Sequence, residues 1–510
     1  MLKPIVFDKL SGGINFKQVD TLINSTTDNT EFAFIQNFTT YQDGGLVSQG
    51  GINPILTSVV DTSPIIAMAG FNSGANDYIC YQKASGNIRF VLASGGAESA
   101  PVATGITAPC QFVQFSGKLV GVNGVDSPFT IDLSSYAAVT NPSPRWATIG
   151  QPSCITVHRN TRVLVAAANE VFLSSLGNAN DWRTISENPS SDGFNAGVLF
   201  ADFSSVSAVK NYGDYTVIHN NSGNIRLFAG RSPSDFATQP IVAPEAAAGK
   251  YAVANAGSGQ WFITSRGVFG LSTTTFGEVQ FSSKSEASEK IRPFFSSEAT
   301  PAGNADPNQL KDSLLIGHPV RNELFLYCRQ VGQTTFDGCF IYSFDKNSWI
   351  YRKTVPISSA LSYGNSAFIG GPNGVIYKDF ATNSLIAGYP FVRKMSTGFM
   401  SFGAPYNEKT INHFHMRFLN KGPVDLIFRL YTNDSMEVVY TRTESLEGST
   451  DTYGVAKYGV AKYDSSASGY IHFPLPWKAR TVKIELDIQN AVSNFQLLSF
   501  ALDVTMGDSK

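Results

Sequence analysis

The stretch Phe112-Val113-Gln114-Phe115-Ser116-Gly117-Lys118-Leu119-Val120-Gly121-Val122 contains two short runs of apolar and β-branched residues joined by Ser116-Gly117. This pattern predicts a strand, a tight turn and a second strand, because glycine readily adopts the positive φ of a hairpin turn. The pattern recurs at residues 154–165 and 206–218, with Asn160 and Gly213 in the turns. A third short strand is predicted after each copy, at residues 129–132, 170–173 and 224–228.

Comparable units begin mostly at intervals of about 40–50 residues, a period typical of β-propellers. One small sheet cannot bury both of its faces, whereas a ring of sheets can. We therefore predict an all-β fold in which residues 61–387 form a β-propeller of six or seven blades. Strand–turn–strand units occur in any large β protein, so another β architecture remains open. The predicted units begin near Ile65, Cys110, Cys154, Val206, Tyr251, Leu314 and Ile357.

Longer apolar runs follow residue 388 and predict a β-sandwich-like domain over residues 388–510. The last run, residues 495–504, is expected to close its sheet. A tandem duplication, Tyr453–Lys457 followed by Tyr458–Lys462, is expected in an exposed loop or hairpin. Residues 1–60 are predicted to pack on this domain or to close the propeller. The predicted long strands are 410–418, 424–430, 481–486 and 495–504.

Two short helices are predicted from capping-box spacing, in which a Ser, Thr, Asp or Asn precedes a Glu by three residues. The first begins at Asp28 and leads through Glu31 into Phe32–Ile35. The second begins at Ser283, with Glu286 at the third position, and Pro293 is expected to follow its end.

The composition favours a subunit of a large assembly. Of the 510 residues, 43% are hydrophobic and only 15% are charged, below the roughly 25% charged residues of average soluble proteins. The net charge of −2 gives no sign of nucleic-acid binding. The five cysteines have no C-x-x-C spacing, which favours reduced thiols over a zinc ribbon, and a Cys328–Cys339 disulfide is disfavoured. We expect neither a signal peptide nor a membrane helix.

Candidate catalytic and metal-binding residues are few. His413 and His415 share one face of a predicted strand, but no third metal ligand is evident, so an ordinary half-buried pair is favoured. The segment Ser343-Phe344-Asp345-Lys346-Asn347-Ser348-Trp349 resembles the aspartate box of sialidases, but it lacks the glycine and is one residue short. We interpret it as a turn with Trp349 packed beneath. No nucleotide, protease or hydrolase motif occurs, and we predict no enzyme, cofactor or metal.

Several segments together resemble the tail proteins of short-tailed phages that form the nozzle or hub beneath the portal. At the N-terminus these are Leu10-Ser11-Gly12-Gly13-Ile14-Asn15, then Asn37-Phe38, then Gly44-Gly45-Leu46-Val47-Ser48-Gln49-Gly50-Gly51. Further similar segments are Asn123–Phe129, Phe172–Asn178 leading to Asp181-Trp182, Ser265–Phe269, Phe276–Val279 and Ser288–Ile291. Their order along residues 8–300 carries the resemblance.

The resemblance implies a virion protein that assembles in the host cytoplasm. It implies a hexamer of propeller-containing subunits that continues the channel of the portal and adaptor proteins. The channel would retain phage DNA and conduct it during ejection without sequence specificity, and tail fibre or needle proteins would attach to it. Two alternatives remain: a carbohydrate-binding or glycosidase propeller of a tail spike, and a generic protein-binding propeller scaffold.

Overall fold

The chain folds into an almost entirely β structure, as seen in a computed structural model. The described part of the chain includes three short 3₁₀ helices, Pro189–Ser191, Glu289–Phe295 and Pro307–Asp312. It contains no helix long and apolar enough to cross a membrane. The structure describes residues 3–16, 31–40, 45–49, 51–140, 146, 149–182, 189–196, 200, 204–241, 243, 245–273, 279–382, 392–404, 406–420, 424–446, 467–489 and 495–507.

Five strands come from the N-terminal segment and join sheets formed mainly by later parts of the chain. They are β1 (Lys3–Phe7), β2 (Phe34–Gln36), β3 (Phe38–Thr40), β4 (Leu46–Ser48) and β5 (Gly51–Pro54).

Seven antiparallel groups of three or four strands follow, which we call sheets 1–7; six are separate sheets, and sheet 6 is the first part of a nine-stranded sheet. Sheet 1 comprises β6 (Ile65–Ser73), β7 (Asn76–Lys83) and β8 (Ile88–Leu92). Sheet 2 comprises β9 (Gln111–Phe115), β10 (Lys118–Val122), β11 (Phe129–Asp132) and β12 (Ala138–Thr140). Sheet 3 comprises β13 (Cys154–His158), β14 (Arg162–Ala167), β15 (Glu170–Leu173) and β16 (Phe194–Asn195).

The remaining small sheets repeat this order. Sheet 4 comprises β17 (Val206–Tyr212), β18 (Tyr215–Asn220), β19 (Ile225–Ala229) and β20 (Ala237–Ile241). Sheet 5 comprises β21 (Val253–Ala256), β22 (Gly259–Thr264), β23 (Gly267–Thr273) and β24 (Val279–Glu286). Sheet 6 comprises β25 (Leu314–His318), β26 (Glu323–Tyr327), β27 (Phe336–Ser343) and β28 (Ser348–Ile357). Sheet 7 comprises β29 (Ser359–Tyr363), β30 (Ser366–Gly370), β31 (Ile376–Thr382) and the N-terminal β5.

The C-terminal strands are longer and form two large sheets with the N-terminal strands. They are β32 (Arg393–Ser396), β33 (Lys409–Asn420), β34 (Val424–Thr432), β35 (Val438–Leu446), β36 (Ala467–Ala479), β37 (Val482–Gln489) and β38 (Phe495–Met506). One sheet has the order β3-β4-β38-β33-β36, with β1 also paired to β38. The other continues sheet 6 through β28-β2-β32-β37-β34-β35. Phe414 of the first sheet and Phe428 of the second lie with ring centroids 4.7 Å apart, so the two sheets face each other.

The first strands of the seven small sheets contact one another in succession, from β6 through β9, β13, β17, β21 and β25 to β29, and β29 in turn contacts β6. Apolar clusters fill the spaces between neighbouring sheets. One of them joins Ile65 and Tyr81 of sheet 1 to Phe368 and Ile376 of sheet 7. Hydrophobic burial between successive sheets therefore holds this region together.

The positions predicted for the seven units lie within two residues of the observed first strands. The largest differences are Tyr251 against Val253 and Ile357 against Ser359. The four predicted long strands correspond to β33, β34, β37 and β38. The expectation that residues 495–504 close a sheet is wrong, because β38 lies between β33 and the N-terminal strands β1 and β4. The tandem duplication lies outside the described residues.

Both helix predictions require correction. Phe34–Gln36 form strand β2 rather than a helix, and all three residues are buried between β28 and β32. Pairing with two distant strands thus outweighs the local capping signal. Residues 283–286 end strand β24, and the short helix begins only at Glu289, with Pro293 inside it rather than after it.

Candidate functional site

We call the described N-terminal residues 3–16, 31–40, 45–49 and 51–54 the N-terminal junction, because they join the seven small sheets to the C-terminal sheets. Strand β1 pairs with β38, so that Lys3 lies opposite Val504. Strand β2 pairs with both β28 and β32. Strand β5 pairs with β31 and supplies the fourth strand of sheet 7. Described N-terminal residues thus pair both with strands after residue 388 and with a strand of sheet 7. That residues 1–60 pack on the C-terminal domain or close the propeller stays a prediction.

Gly13, in the first segment that resembles nozzle proteins, passes close to Trp349. The amide of Ile14 donates to the Trp349 carbonyl at 2.7 Å. A Cβ on Gly13 would lie 2.6 Å from that carbonyl oxygen and 2.7 Å from Ser348 Cβ, and its φ is +73°. Only glycine fits this backbone approach without strain. The close packing against β28 therefore requires glycine at position 13.

Asn37, in the second such segment, connects three parts of the chain. Its amide donates to the Tyr351 carbonyl at 2.9 Å, and its side-chain Nδ2 donates to the Val392 carbonyl at 2.8 Å. Its Oδ1 accepts from the Lys353 amide at 2.9 Å. Asn37 is buried and has a φ of +61°, a conformation that asparagine tolerates better than most residues. The residue thus satisfies backbone groups on both sides of the junction.

Two of the remaining segments form turns beside the strands. Asn123 Oδ1 accepts from the amides of Val125 and Asp126 at 2.9 and 2.8 Å, which forms an Asx turn. Trp182 is buried, and its Nε1 donates to the Ala179 carbonyl at 2.9 Å. These residues stabilise local loops of sheets 2 and 3.

The segment like an aspartate box forms the turn between β27 and β28, where the sequence predicts a turn. Trp349 is fully buried, and its Nε1 donates to the Ala287 carbonyl at 2.6 Å. Asp345 accepts from Asn322 Nδ2 at 2.6 Å across the neighbouring turn. Both side chains therefore make contacts that stabilise sheet 6 and its surroundings.

One cavity of about 980 Å³ lies among the first strands and is lined by residues from all seven of them. The volume is that of a small-molecule pocket. A DNA duplex is wider than its major groove, which alone measures about 12 Å, so a duplex does not fit in this cavity. Hydrogen bonds join the beginnings of neighbouring first strands, as from Ile155 N to Gln111 Oε1. They also join the ends, as from Tyr212 Oη to the Ser258 carbonyl. The first strands therefore run in the same direction around the cavity, which we call the central cavity.

Lys250 and Tyr251 connect sheet 5 to sheet 2 at the end of the central cavity where the first strands begin. Lys250 Nζ donates to the Pro109 carbonyl at 2.6 Å, and Tyr251 Oη donates to the Cys110 carbonyl at 2.7 Å. Burial lowers the pKa of Lys250 and raises that of Tyr251. At the other end, Asn255, Ser258 and Gly364 are exposed to solvent.

The histidines predicted to share a strand face do so on β33, where a carboxylate lies beside them. His415 Nε2 lies 2.9 Å from Asp503 Oδ2 and His413 Nδ1 lies 3.6 Å from it. His415 Nδ1 contacts Tyr470 Oη at 2.5 Å, and the His472 ring stacks 6.1 Å from that of His415. Within the described part of the chain, no group of histidine, cysteine and acidic residues has a geometry that could hold a metal ion. The arrangement is a cross-strand hydrogen-bonded cluster.

Other titratable groups are buried between sheets. His219 is fully buried, and burial lowers its pKa to about 3, so it is neutral at pH 7. Arg352 of β28 forms a buried ion pair with Asp379 of β31, which ties sheet 6 to sheet 7. All five cysteines are buried and free, Cys328 and Cys339 included. Burial raises the pKa of both of these thiols to about 12.

Sequence reasoning did not single out Lys210 or Lys250, which line the central cavity. Lys210 follows the apolar run that begins a repeat unit. A charged residue in the first strand of a unit could have indicated a functional position. The pairing of β5 with β31 joins residues more than 300 positions apart. The sequence of either strand does not indicate which strand it pairs with.

No protein-family model matches the chain, and no curated protein matches it. Among solved structures, the crystal structure of the computationally designed Ika8 protein is similar, with a TM-score of 0.36 and 9% sequence identity. That similarity covers 64% of this chain and 99% of the designed one. At this TM-score the similarity carries no argument about architecture or function.

Proposed function

We propose that the protein is a structural subunit of a short phage tail and forms a hexameric nozzle. In this proposal sheets 1–7 are the blades of a seven-bladed β-propeller, and the two C-terminal sheets form a β-sandwich. The nozzle would continue the channel of the portal and adaptor proteins, retain DNA and conduct it during ejection. Tail fibre or needle proteins would attach at its surface, and no catalytic reaction is assigned to it.

The observation that carries the proposal is the role of the N-terminal segments on which the resemblance rests. Gly13 and Asn37 are buried where the small sheets meet the C-terminal sheets, with contacts that only these residue types make easily. The resembling residues therefore specify how two regions are joined, and not merely the presence of strands. A shared way of joining two regions is expected of subunits with the same architecture.

The succession of first strands supports seven blades. Each first strand contacts the next, β29 contacts β6, and all seven line the central cavity. Strand β5 from the N-terminus completes sheet 7, which starts with β29. Opening the ring would detach β5 from β31 and leave one edge of each strand unpaired. It would also expose the apolar cluster between sheets 7 and 1. The ring is therefore expected to resist opening.

In the proposed nozzle, DNA passes between subunits and not through a propeller. The central cavity is far too small for a duplex, and Lys250 and Tyr251 bridge one end of it. The width of an axial channel formed by six subunits is not limited by the size of the central cavity. The low charge of the chain, 15% of residues, fits broad contacts between subunits.

Strand β35 is the candidate for subunit contact, because it is the last strand of its sheet. Within the described residues it pairs only with β34, which leaves the other edge open. Val438 and the preceding Met436 are 44% and 69% exposed. An open edge with exposed apolar side chains can pair with a strand of another chain.

The experiment is mass photometry of the purified chain, alone and with portal and adaptor proteins, followed by negative-stain imaging. We expect rings or tubes of six subunits. Val438→Lys should abolish or weaken the rings without lowering the melting temperature. Val60→Lys, at a side chain that is 75% exposed outside the sheets, is the matched control and should assemble normally. A chain that remains monomeric with both partner proteins would contradict the nozzle assignment, and cleavage of a surface polysaccharide would contradict a purely structural role.

A further inference from the structure

The central cavity contains a lysine whose charge is not used within the protein. Lys210, in β17, lines the cavity and is half-buried. Across the described part of the chain, its ammonium makes no hydrogen bond and no ion pair. Burial lowers the pKa of Lys210. Burial of a cation without a partner is destabilising, and a bound anion would relieve that cost.

Three further polar side chains of the cavity wall also have no hydrogen-bond partner among the described residues. Thr156, Asn211 and Ser362 line the same cavity, and Thr156 and Asn211 lie on the adjacent first strands β13 and β17. Other polar groups of the wall are already satisfied. Gln114, for example, bonds through both side-chain atoms to the backbone of Asn72. The unpartnered groups are thus a distinct subset that could bind a ligand.

The charge of the wall has one sign. The described residues that line the cavity include Lys210 and Lys250 and no aspartate or glutamate. Lys250 donates to the neutral carbonyls of Pro109 and Asn123, and the Asp312 carboxylate, which is not among the lining residues, favours its charged form. Part of the remaining wall is apolar and partly exposed, including Val113, Val157 and Ile316.

We propose that the central cavity binds a small organic anion, a carboxylate or phosphate monoester on an apolar body, with Lys210 contacting the anionic group. Asn211, which is partly exposed in the cavity, can donate to another of its oxygens, and the partly exposed side chains of Val113 and Val157 contact its apolar body. The ligand enters from the end formed by Asn255, Ser258 and Gly364, which is exposed to solvent. This site depends on the small sheets alone and does not require the hexamer or the phage tail.

The test is titration calorimetry of the full chain with phenyl phosphate and with benzoate, which separates the two anion classes. Benzyl alcohol is the uncharged control ligand. We expect at least one of the two anions to bind at one site per chain. Lys210→Met should weaken this binding about tenfold or more, because a charge-assisted hydrogen bond is lost. Lys353→Met, which removes an exposed lysine outside the cavity, should bind as the wild type does.

A measurement on the wild type keeps the proposal testable if Lys210→Met does not fold. The bound anion should protect Lys210 from reductive methylation, as read by peptide mass spectrometry, whereas Lys353 should react equally with and without the ligand. The proposal is overturned if neither anion binds up to its solubility limit, if Lys210→Met binds as tightly as the wild type, or if the anion leaves the methylation of Lys210 unchanged.

Discussion

The seven small sheets and the N-terminal junction use the same strand chemistry over very different sequence distances. In sheet 2, Lys118 of β10 pairs with Phe115 of β9 across a two-residue turn. In the junction, Lys3 pairs with Val504 across nearly the whole chain. Local pairing costs little loop entropy, whereas distant pairing is formed only when most of the chain is in place. The junction therefore depends on the whole fold, and the whole fold on the junction.

The largest effect is expected from removal of the junction. Deletion of residues 1–60 exposes one edge of β38 and of β31 and removes buried Phe34, Ile35 and Phe38. The truncated chain should be insoluble when expressed alone. Co-expression of residues 1–60 as a separate chain should restore soluble protein, as measured by size-exclusion chromatography. Native-like melting of residues 61–510 alone would show that the small sheets do not need the junction.

Asn37→Ala should cost about 3 kcal/mol of unfolding free energy, because it leaves the Val392 carbonyl and the Lys353 amide without their side-chain partner. Asn37→Gly is the control, since glycine accepts the φ of +61° but forms neither bond. It should be destabilised less than alanine by about 1 kcal/mol. Urea unfolding of both variants measures the difference. Full stability of Asn37→Gly would mean that backbone conformation alone matters at this position.

A pH effect is expected in the small sheets, where His219 is buried with its pKa lowered to about 3. The unfolded chain takes up a proton below a pKa of about 6.5, whereas the folded chain does not until near pH 3. Stability is therefore lost as pH falls through this window, by about 2–3 kcal/mol between pH 7 and pH 4.5 from this residue. His219→Gln should show a smaller fall in urea midpoint over that range. An unchanged fall would contradict a neutral, buried His219.

The smallest effect is expected at the histidine cluster on β33. His415 bonds to Asp503 and Tyr470 at a partly exposed position, and water can replace these partners. His415→Asn should change the unfolding free energy by less than about 1 kcal/mol. Thermal melting of the variant measures it. A loss as large as that of Asn37→Ala would mean that the cluster contributes to the fold as much as the junction does.

The same contrast explains what could be predicted from sequence. The predicted starts of the seven units lie within two residues of the observed strands. The reason is that both strands of a hairpin and its turn residues lie within about 15 consecutive positions of the sequence. The long strands β33 and β34 could be predicted because apolar and polar residues largely alternate along them, which matches their alternating burial in the structure. The predicted helix that leads into Phe32–Ile35 is wrong at Phe34 and Ile35, because the strands that pair with this segment lie more than 300 residues away.

The candidate sites divide in the same way. The turn role of Asp345 and the buried position of Trp349 follow from local pattern and were predicted. Gly13 and Asn37 contact β28, and Asn37 also bonds to the Val392 carbonyl, so their roles appear only when the chain has folded back. Lys210 was missed because its importance depends on seven strands that meet around one cavity. A local sequence pattern does not indicate which distant strands come together around a cavity.

Electron cryo-microscopy of the chain assembled with portal and adaptor proteins tests the central claim most directly. The account predicts six copies around an axial channel, each with seven blades completed by β5, and DNA density between the subunits with none in the central cavities. A monomeric chain bound to the side of the portal, or a sheet arrangement in which β29 and β6 lie apart, would contradict it.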